Sequence, residues 1–311
     1  MTTLDFTQGQ NCLQAQEAPS VGLFPFYKNN SPFERGANGL RPLWGMTMKA
    51  AGSMRFRWNE TNPNRDQFLA GLCERCGGAP GKDGADRQVV PLELIHSKIV
   101  YEAREAGDTF QKQGDAIITK NAALVPVVTV ADCVPLYFYD AGTGAFGAAH
   151  SGWKGTGIAA EVVLAMKKHY GSDPRDILCA IGPHIHDCCY LVDGERAKYF
   201  ADNFGSACVQ EASQAQNGGG PQSFGAGKNF SQAQDARGGL YRLSLLRANL
   251  SVLEKAGVLE ENIAAAKNCT ACDARFGSFR REAAALPDRP GQDKSRLFTT
   301  QAAFVIMESA E

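Results

Sequence analysis

The sequence predicts an α/β fold, with a largely mixed β-sheet and helices on the outside. Three observations carry this. Leu124–Val130 and residues 136–139 are nearly continuous apolar runs, the pattern of strands buried on both faces. Helical patterns ended by glycine alternate with such strands, at 157–170 and 242–256. The 311 residues suit one large domain or two small ones, and strand and helix patterns that resume after each irregular stretch favour one.

The elements follow in order. Residues 1–45 carry Pro19, Pro25, Pro32 and Pro42 among many Asn and Gly, so they read as an irregular N-terminal extension, with the domain at 46–311. Asn62-Pro63 opens a helix built on Phe68, Leu69 and Leu72, stopped by Gly77-Gly78. After a polar loop, 89–100 alternates like a strand and contains His96. Ala116–Thr119 is a short strand after Gly114-Asp115. Leu124–Val130 and 136–139 are buried strands, and 145–149 follows Gly142-Thr143-Gly144 as a hairpin partner. A helix over 157–170 places Ile158, Val162, Ala165 and Met166 on one face, with Gly171 as its stop. Ile177–Ile181 is a strand ending at Gly182-Pro183, and 195–204 is helical. About 205–239 is rich in Gly, Gln, Asn and Ser and reads as a flexible insertion. Leu243, Leu246, Leu250 and Leu253 make 242–256 an amphipathic helix, and Ile263–Ala266 and 302–307 are the last strands.

Composition narrows the function. Apolar residues are 44% and charged residues 21%, with a net charge of -1, so no basic excess points to nucleic acid or to a membrane surface. Residues 1–18 have neither a basic nor an apolar leader segment, and no 18-residue apolar run occurs, so the expected location is cytoplasmic. Small-molecule chemistry is what remains. The ten cysteines are then mostly reduced and buried. Two Cys-x-x-Cys pairs, Cys73/Cys76 and Cys269/Cys272, would have to meet from opposite parts of the chain to hold a structural zinc, and the usual knuckle context is missing. Cys188-Cys189 reads as packing or loop.

Chemistry concentrates in Ala131-Asp132-Cys133-Val134-Pro135 and His150-Ser151-Gly152-Trp153-Lys154-Gly155. A thiol and an imidazole stand at the ends of apolar strands, where α/β proteins place their sites. Of five histidines, only His96 and His150 share apolar, strand-like surroundings with Cys133. His169 reads as solvated near a helix end, and His184 and His186 as turn or pocket-rim residues. Buried imidazoles and thiols need partners. A zinc shared by His96, Cys133 and His150 would satisfy all three and leave one position open, the mark of a catalytic site. A Cys133 nucleophile with His150 as base is the metal-free alternative. Gly155-Thr156-Gly157 opens a helix, an ordinary start that could also face an anion, with Lys154 and the Arg280-Arg281 pair as possible cations for it.

These residues together resemble the laccase-domain (YfiH-type) family, variously labelled polyphenol oxidase, purine nucleoside phosphorylase and peptidoglycan editing factor. The likeness runs from about Pro91 to the C-terminus. It rests on Ala131-Asp132-Cys133-Val134-Pro135 and the His150–Gly155 motif, then on Ile181-Gly182-Pro183-His184-Ile185, Tyr190 and Val192, Cys269-Thr270 and Ser278-Phe279-Arg280-Arg281. The resemblance implies a single-domain α/β layered sandwich, metal ligands at His96, Cys133 and His150, and zinc-assisted phosphorolysis of purine nucleosides with possible adenosine deamination. Purine nucleoside and phosphate are then the partners. Asp132 would orient a ligand or move a proton, and Arg55, Lys154 and Arg280 would bind phosphate or ribose. The chain departs from the pattern at Leu94-Ile95-His96-Ser97, at Ser53-Met54-Arg55, and at the separated Gly291 and Arg296. Rival readings are an editing hydrolase for peptidoglycan precursors and a non-catalytic, zinc-containing partner-binding protein. Multicopper phenol oxidation needs more histidines than the chain holds.

Overall fold

The structure, a computed structural model, describes residues 1–9, 20–36, 39–75, 87–212, 240–283, 286–287 and 294–309. Two mixed sheets form its centre. One has seven strands in the order Thr2–Leu4, Ile263–Ala266, Ile177–Ile181, Val134–Asp140, Phe146–Ser151, Ala116–Thr119 and Val100–Glu102. Its middle pairs are antiparallel and its outer pairs parallel. The other has five strands, Val21–Pro25, Leu40–Thr47, Gln301–Ser309, Leu124–Val130 and Gln88–Pro91.

Side-chain alternation stacks the layers. On Val134–Asp140, Val134, Leu136 and Phe138 face the helices Ile158–Tyr170 and Leu245–Lys255. Tyr137 and Tyr139 face the opposite way, packing with Trp44, Met46, Val128 and Val305 of the second sheet. That sheet's outer face carries Leu23, Val125, Val127 and Phe304 against Met54 and Leu69, the latter on the helix Pro63–Arg75. The order is helix, sheet, sheet, helix, as expected of a layered sandwich with outer helices. A strand buried on both faces must be apolar at every position, which explains the unbroken runs. Truncating a ring such as Phe138, which is fully buried, costs about 3–5 kcal/mol.

Three local expectations change. The first 45 residues are not simply irregular: Thr2–Leu4, Val21–Pro25 and Leu40–Thr47 enter both sheets, Thr2–Leu4 beside Ile263–Ala266 and Leu40–Thr47 beside Gln301–Ser309. Residues 89–100 are not one strand. Gln88–Pro91 and Val100–Glu102 belong to different sheets, and the turn between them exposes Ile95 and Ile99. The helix expected from 242 begins at Leu245, capped by Ser244, because Tyr241–Leu243 pairs as a strand with Leu191–Val192 and Val209–Glu211. Most of the 205–239 insertion lies outside the described residues; within its start, Val209–Glu211 is that strand. Among the described residues, no helix is long and apolar enough to cross a membrane.

Candidate metal centre

His96, Cys133 and His150 converge. One ligand atom from each lies within 4.8 Å of the other two. His150 is the penultimate residue of the strand Phe146–Ser151, and Pro135 of the neighbouring strand is its register partner. Cys133 immediately precedes that neighbouring strand. Between them, Gly152 passes beneath the cluster: a Cβ there would lie 2.7 Å from His96 Cδ2 and 3.3 Å from Cys133 Sγ. Only glycine leaves that space to the ligands. His150 is buried, Cys133 partly buried and His96 exposed, so the cluster opens on the His96 side.

Asp115 organises the centre, and sequence reasoning passed it over as part of a Gly-Asp turn. Its Oδ1 lies 2.8 Å from His150 Nδ1. The backbone N–H of His96 donates to the same carboxylate at 3.0 Å, and the Ser97 hydroxyl donates at 2.7 Å. One buried carboxylate thus fixes the His150 ring and the His96 turn, where His96 takes a left-handed φ of 59°. The Nδ1 contact leaves His150 Nε2 as the atom for a ligand. This carboxylate–histidine arrangement is the usual support of a metal-binding imidazole.

The electrostatics suit a thiolate. Burial alone would push the Cys133 thiol up, but the charge on His150 and hydrogen bonds from both histidines outweigh it and bring it to about 6. Burial would lower His150, yet Cys133 and Asp115 raise it to about 10. Burial would also raise Asp115, but His150 and Ser97 hold it below the usual carboxylate range. Two imidazole nitrogens and one thiolate, with a carboxylate behind, fit a borderline-soft metal.

The other expected site residues are placed as follows. Asp132 is buried with a left-handed φ of 77°, and it turns away from the ligands. Its carboxylate accepts from Thr270 Oγ1 and from the Arg280 backbone N–H, both at 2.6 Å. Burial raises it above its ordinary value against these two donors. Its contacts are those of a group that locks the turn before Cys133 to the 270–281 segment, in place of the expected contact with a ligand.

Arg280 lies over the Tyr190 ring at 5.6 Å, and Arg196, not anticipated from sequence, lies 4.4 Å over Trp153. Lys154 flanks the same indole at 5.4 Å. Trp153 follows Gly152, the residue beneath the cluster, which puts this aromatic and cationic group beside the centre. Arg55 instead pairs with Glu60 at 3.1 Å, and both line a cavity with Asn62 and Arg296. His169 is not simply solvated, since its Nδ1 meets Glu102 at 3.0 Å.

Cys188 and Cys189 lie in a turn, with Cys189 packed against the core, as expected of packing or loop residues. They also meet the buried Cys269 and the exposed Cys272, with all four sulfurs within 4.8 Å of one another. Cys76 lies outside the described residues, as does the Cys73 side chain, so the expectation about that pair stays outside this description.

The chain belongs to the family described as multi-copper polyphenol oxidoreductase laccase, whose model matches residues 81–286. It is 34% identical over 265 residues to a Bacillus subtilis protein named purine nucleoside phosphorylase YlmD, covering 72% of this chain and 87% of that one. To the protein of the same name from Geobacillus stearothermophilus it is 33% identical over 171 residues, 54% of this chain and only 55% of that protein's length. Among solved structures, YfiH of Bacillus licheniformis superposes with a TM-score of 0.64 at 22% identity, covering 86% of this chain and 95% of that one. That likeness concerns the fold alone.

Proposed function

We propose that the chain is a zinc-dependent purine nucleoside phosphorylase acting at His96, Cys133 and His150. The carrying observation is the convergence of these three donors around the Asp115 carboxylate, in a chain whose relatives bear the name purine nucleoside phosphorylase. Zinc bound there would supply a Lewis acid that stabilises negative charge developing on an oxygen of the reactants. A His2Cys set also accepts copper. Multicopper chemistry asks for several histidine-rich sites, and among the described residues histidine contributes to this one cluster alone.

In phosphorolysis a phosphate oxygen bonds to the sugar C1′, the bond from C1′ to the base nitrogen breaks, and the base leaves with that electron pair and gains a proton. The chain's own residues serve positioning and charge. Arg196, Arg280 and Lys154 supply cations for phosphate beside Trp153 and Tyr190. Asp132 acts through Thr270 and Arg280 as a positioning residue. Adenosine deamination at the same centre is a finer reading with the same ligands.

A metal-free thiol enzyme is favoured by one observation, the Cys133 thiol within 4.8 Å of a His150 imidazole whose charge lowers the thiol's pKa. Chromatography of inosine and adenosine, with and without phosphate and chelator, separates the readings. The expected result is free base and ribose 1-phosphate, made only with phosphate and abolished by a chelator. Turnover that survives complete metal removal and stops on alkylation would replace the zinc reading with the thiol one.

A further inference from the structure

We propose that Cys188, Cys189, Cys269 and Cys272 form a second metal site, a closed tetrathiolate centre for zinc, distinct from the His96–Cys133–His150 cluster. The sulfur spacing carries it. Cys189 Sγ lies 3.2 Å from Cys272 Sγ, Cys188 lies 3.6 Å from Cys272, and Cys188 lies 3.8 Å from Cys189. A zinc ion with bonds of about 2.3 Å to four sulfurs requires edges of about 3.8 Å between them. A disulfide would instead draw one pair to about 2 Å and release the other two. Cys188 and Cys272 are exposed and gain little from apolar packing, while Cys269 is buried and Cys189 packs against the core.

The surroundings are those of thiolates. Cys269 and Cys272 have the Cys-x-x-Cys spacing of a zinc knuckle, and the N–H groups of Cys272 and Asp273 turn back onto the Cys269 carbonyl. The His186 backbone N–H donates to Cys269 Sγ at 3.4 Å. Four thiolates outweigh a divalent ion by two charges, and two guanidinium groups stand by to offset them. Arg242 Nη1 donates to the Cys188 and Asp187 carbonyls at 3.0 and 3.3 Å. Arg281 Nη1 donates to the Thr270 and Ala271 carbonyls at 2.6 and 3.1 Å.

Four protein ligands leave no position for substrate, so this centre is structural. It ties the 186–190 turn to the 269–273 turn. The second turn carries Thr270, which holds Asp132 next to Cys133. The tetrathiolate thereby braces the wall of the first centre without contributing an atom to it.

The test counts metal in the full-length chain, purified under reducing conditions and saturated with zinc. Expected are two zinc ions per wild-type chain, one in Cys133→Ala and one in Cys269→Ser/Cys272→Ser. Cobalt loaded into Cys133→Ala should give the intense sulfur-to-metal absorption of a tetrahedral thiolate site. That measurement keeps all four thiols, so it decides the matter even if the double variant does not fold. Wild type that saturates at one ion, a Cys133→Ala protein without cobalt–thiolate absorption, or a Cys189–Cys272 disulfide in the freshly isolated, unreduced protein would each overturn the proposal. None of these readouts depends on nucleoside turnover, so they leave the phosphorylase reading to its own test.

Discussion

The two donor clusters differ in ligand number, chemistry and support. The first has two imidazoles and one thiol, a buried carboxylate behind it and an exposed side at His96. The second has four thiols, no described carboxylate bonded to them, and a half-exposed position between two turns. Ligand number decides the role: three ligands leave a position at which reactants can bind, and four do not. Support follows from it. A ligand that must stay oriented while reactants exchange needs a fixed second contact, which Asp115 provides to the His150 ring and to the backbone of His96. Turns closed by four bonds to one ion need no such backing.

Substitutions should therefore have opposite signatures in the two regions. The largest effect belongs to His150→Ala. It removes a ligand and the imidazole partner of Asp115, which keeps its bonds to His96 and Ser97, and metal-dependent stabilisation of several kcal/mol translates to a loss of roughly a thousandfold or more in kcat/KM. Cys272→Ser should leave kcat within a few-fold while removing one metal ion and lowering Tm. Similar kinetic losses in the two variants would erase the distinction between the regions.

Asp115→Asn comes next. The ligands remain, but the carboxylate that orients His150 is lost. Competition against a metal-binding dye should show affinity at the first centre falling about 10- to 100-fold, with no change at the second. Arg196→Ala and Arg280→Ala are smaller perturbations. Each should raise KM for phosphate about tenfold with a lesser change in kcat, as expected for a charged contact made equally in ground and transition states. Unchanged phosphate KM in both would remove that surface from the reaction.

The smallest effect concerns the histidines beside the thiol cluster. His184 is fully buried with Nδ1 on the Gly182 carbonyl at 2.8 Å, and burial and then the neighbouring His186 press it from 6.5 down to about 3. The unfolded chain protonates this histidine first as pH falls, so stability is lost from about pH 6.5 downward and the loss levels off near pH 3. Chemical denaturation at pH 7 and pH 5 should give a His184→Gln protein a shallower decline than wild type, by at most about 1.4 kcal/mol per pH unit. Parallel declines would mean that His184 binds its proton equally well in the folded and the unfolded chain.

What the sequence made legible follows the range of the interactions. Cys133 and His150 could be found because each stands beside or near the end of a strand buried on both faces, where a polar group stands out. The layered α/β fold could be read from the same runs. His96 was placed within a strand because Ile95 and Ile99 look like core residues, yet both are exposed on a turn that needs a left-handed histidine. Asp115 gave no signal, since an aspartate after glycine is the commonest turn pair. The strands within the first 45 residues are short and broken by proline, and their partners lie near residues 264 and 304, beyond the reach of local periodicity. The four thiols escaped for the same reason: Cys188-Cys189 is about 80 residues from Cys269 and Cys272, and only the fold joins them.

The central claim is that the three-ligand cluster alone performs the chemistry. Its most direct test measures phosphate-dependent cleavage of inosine by wild type and by Cys133→Ala, with the metal content of each sample determined alongside. The account predicts ribose 1-phosphate and free base from wild type, and none from a folded Cys133→Ala protein that still carries metal at its four cysteines. Cleavage by Cys133→Ala at the wild-type rate, or no cleavage by wild type with its first centre filled, would contradict it.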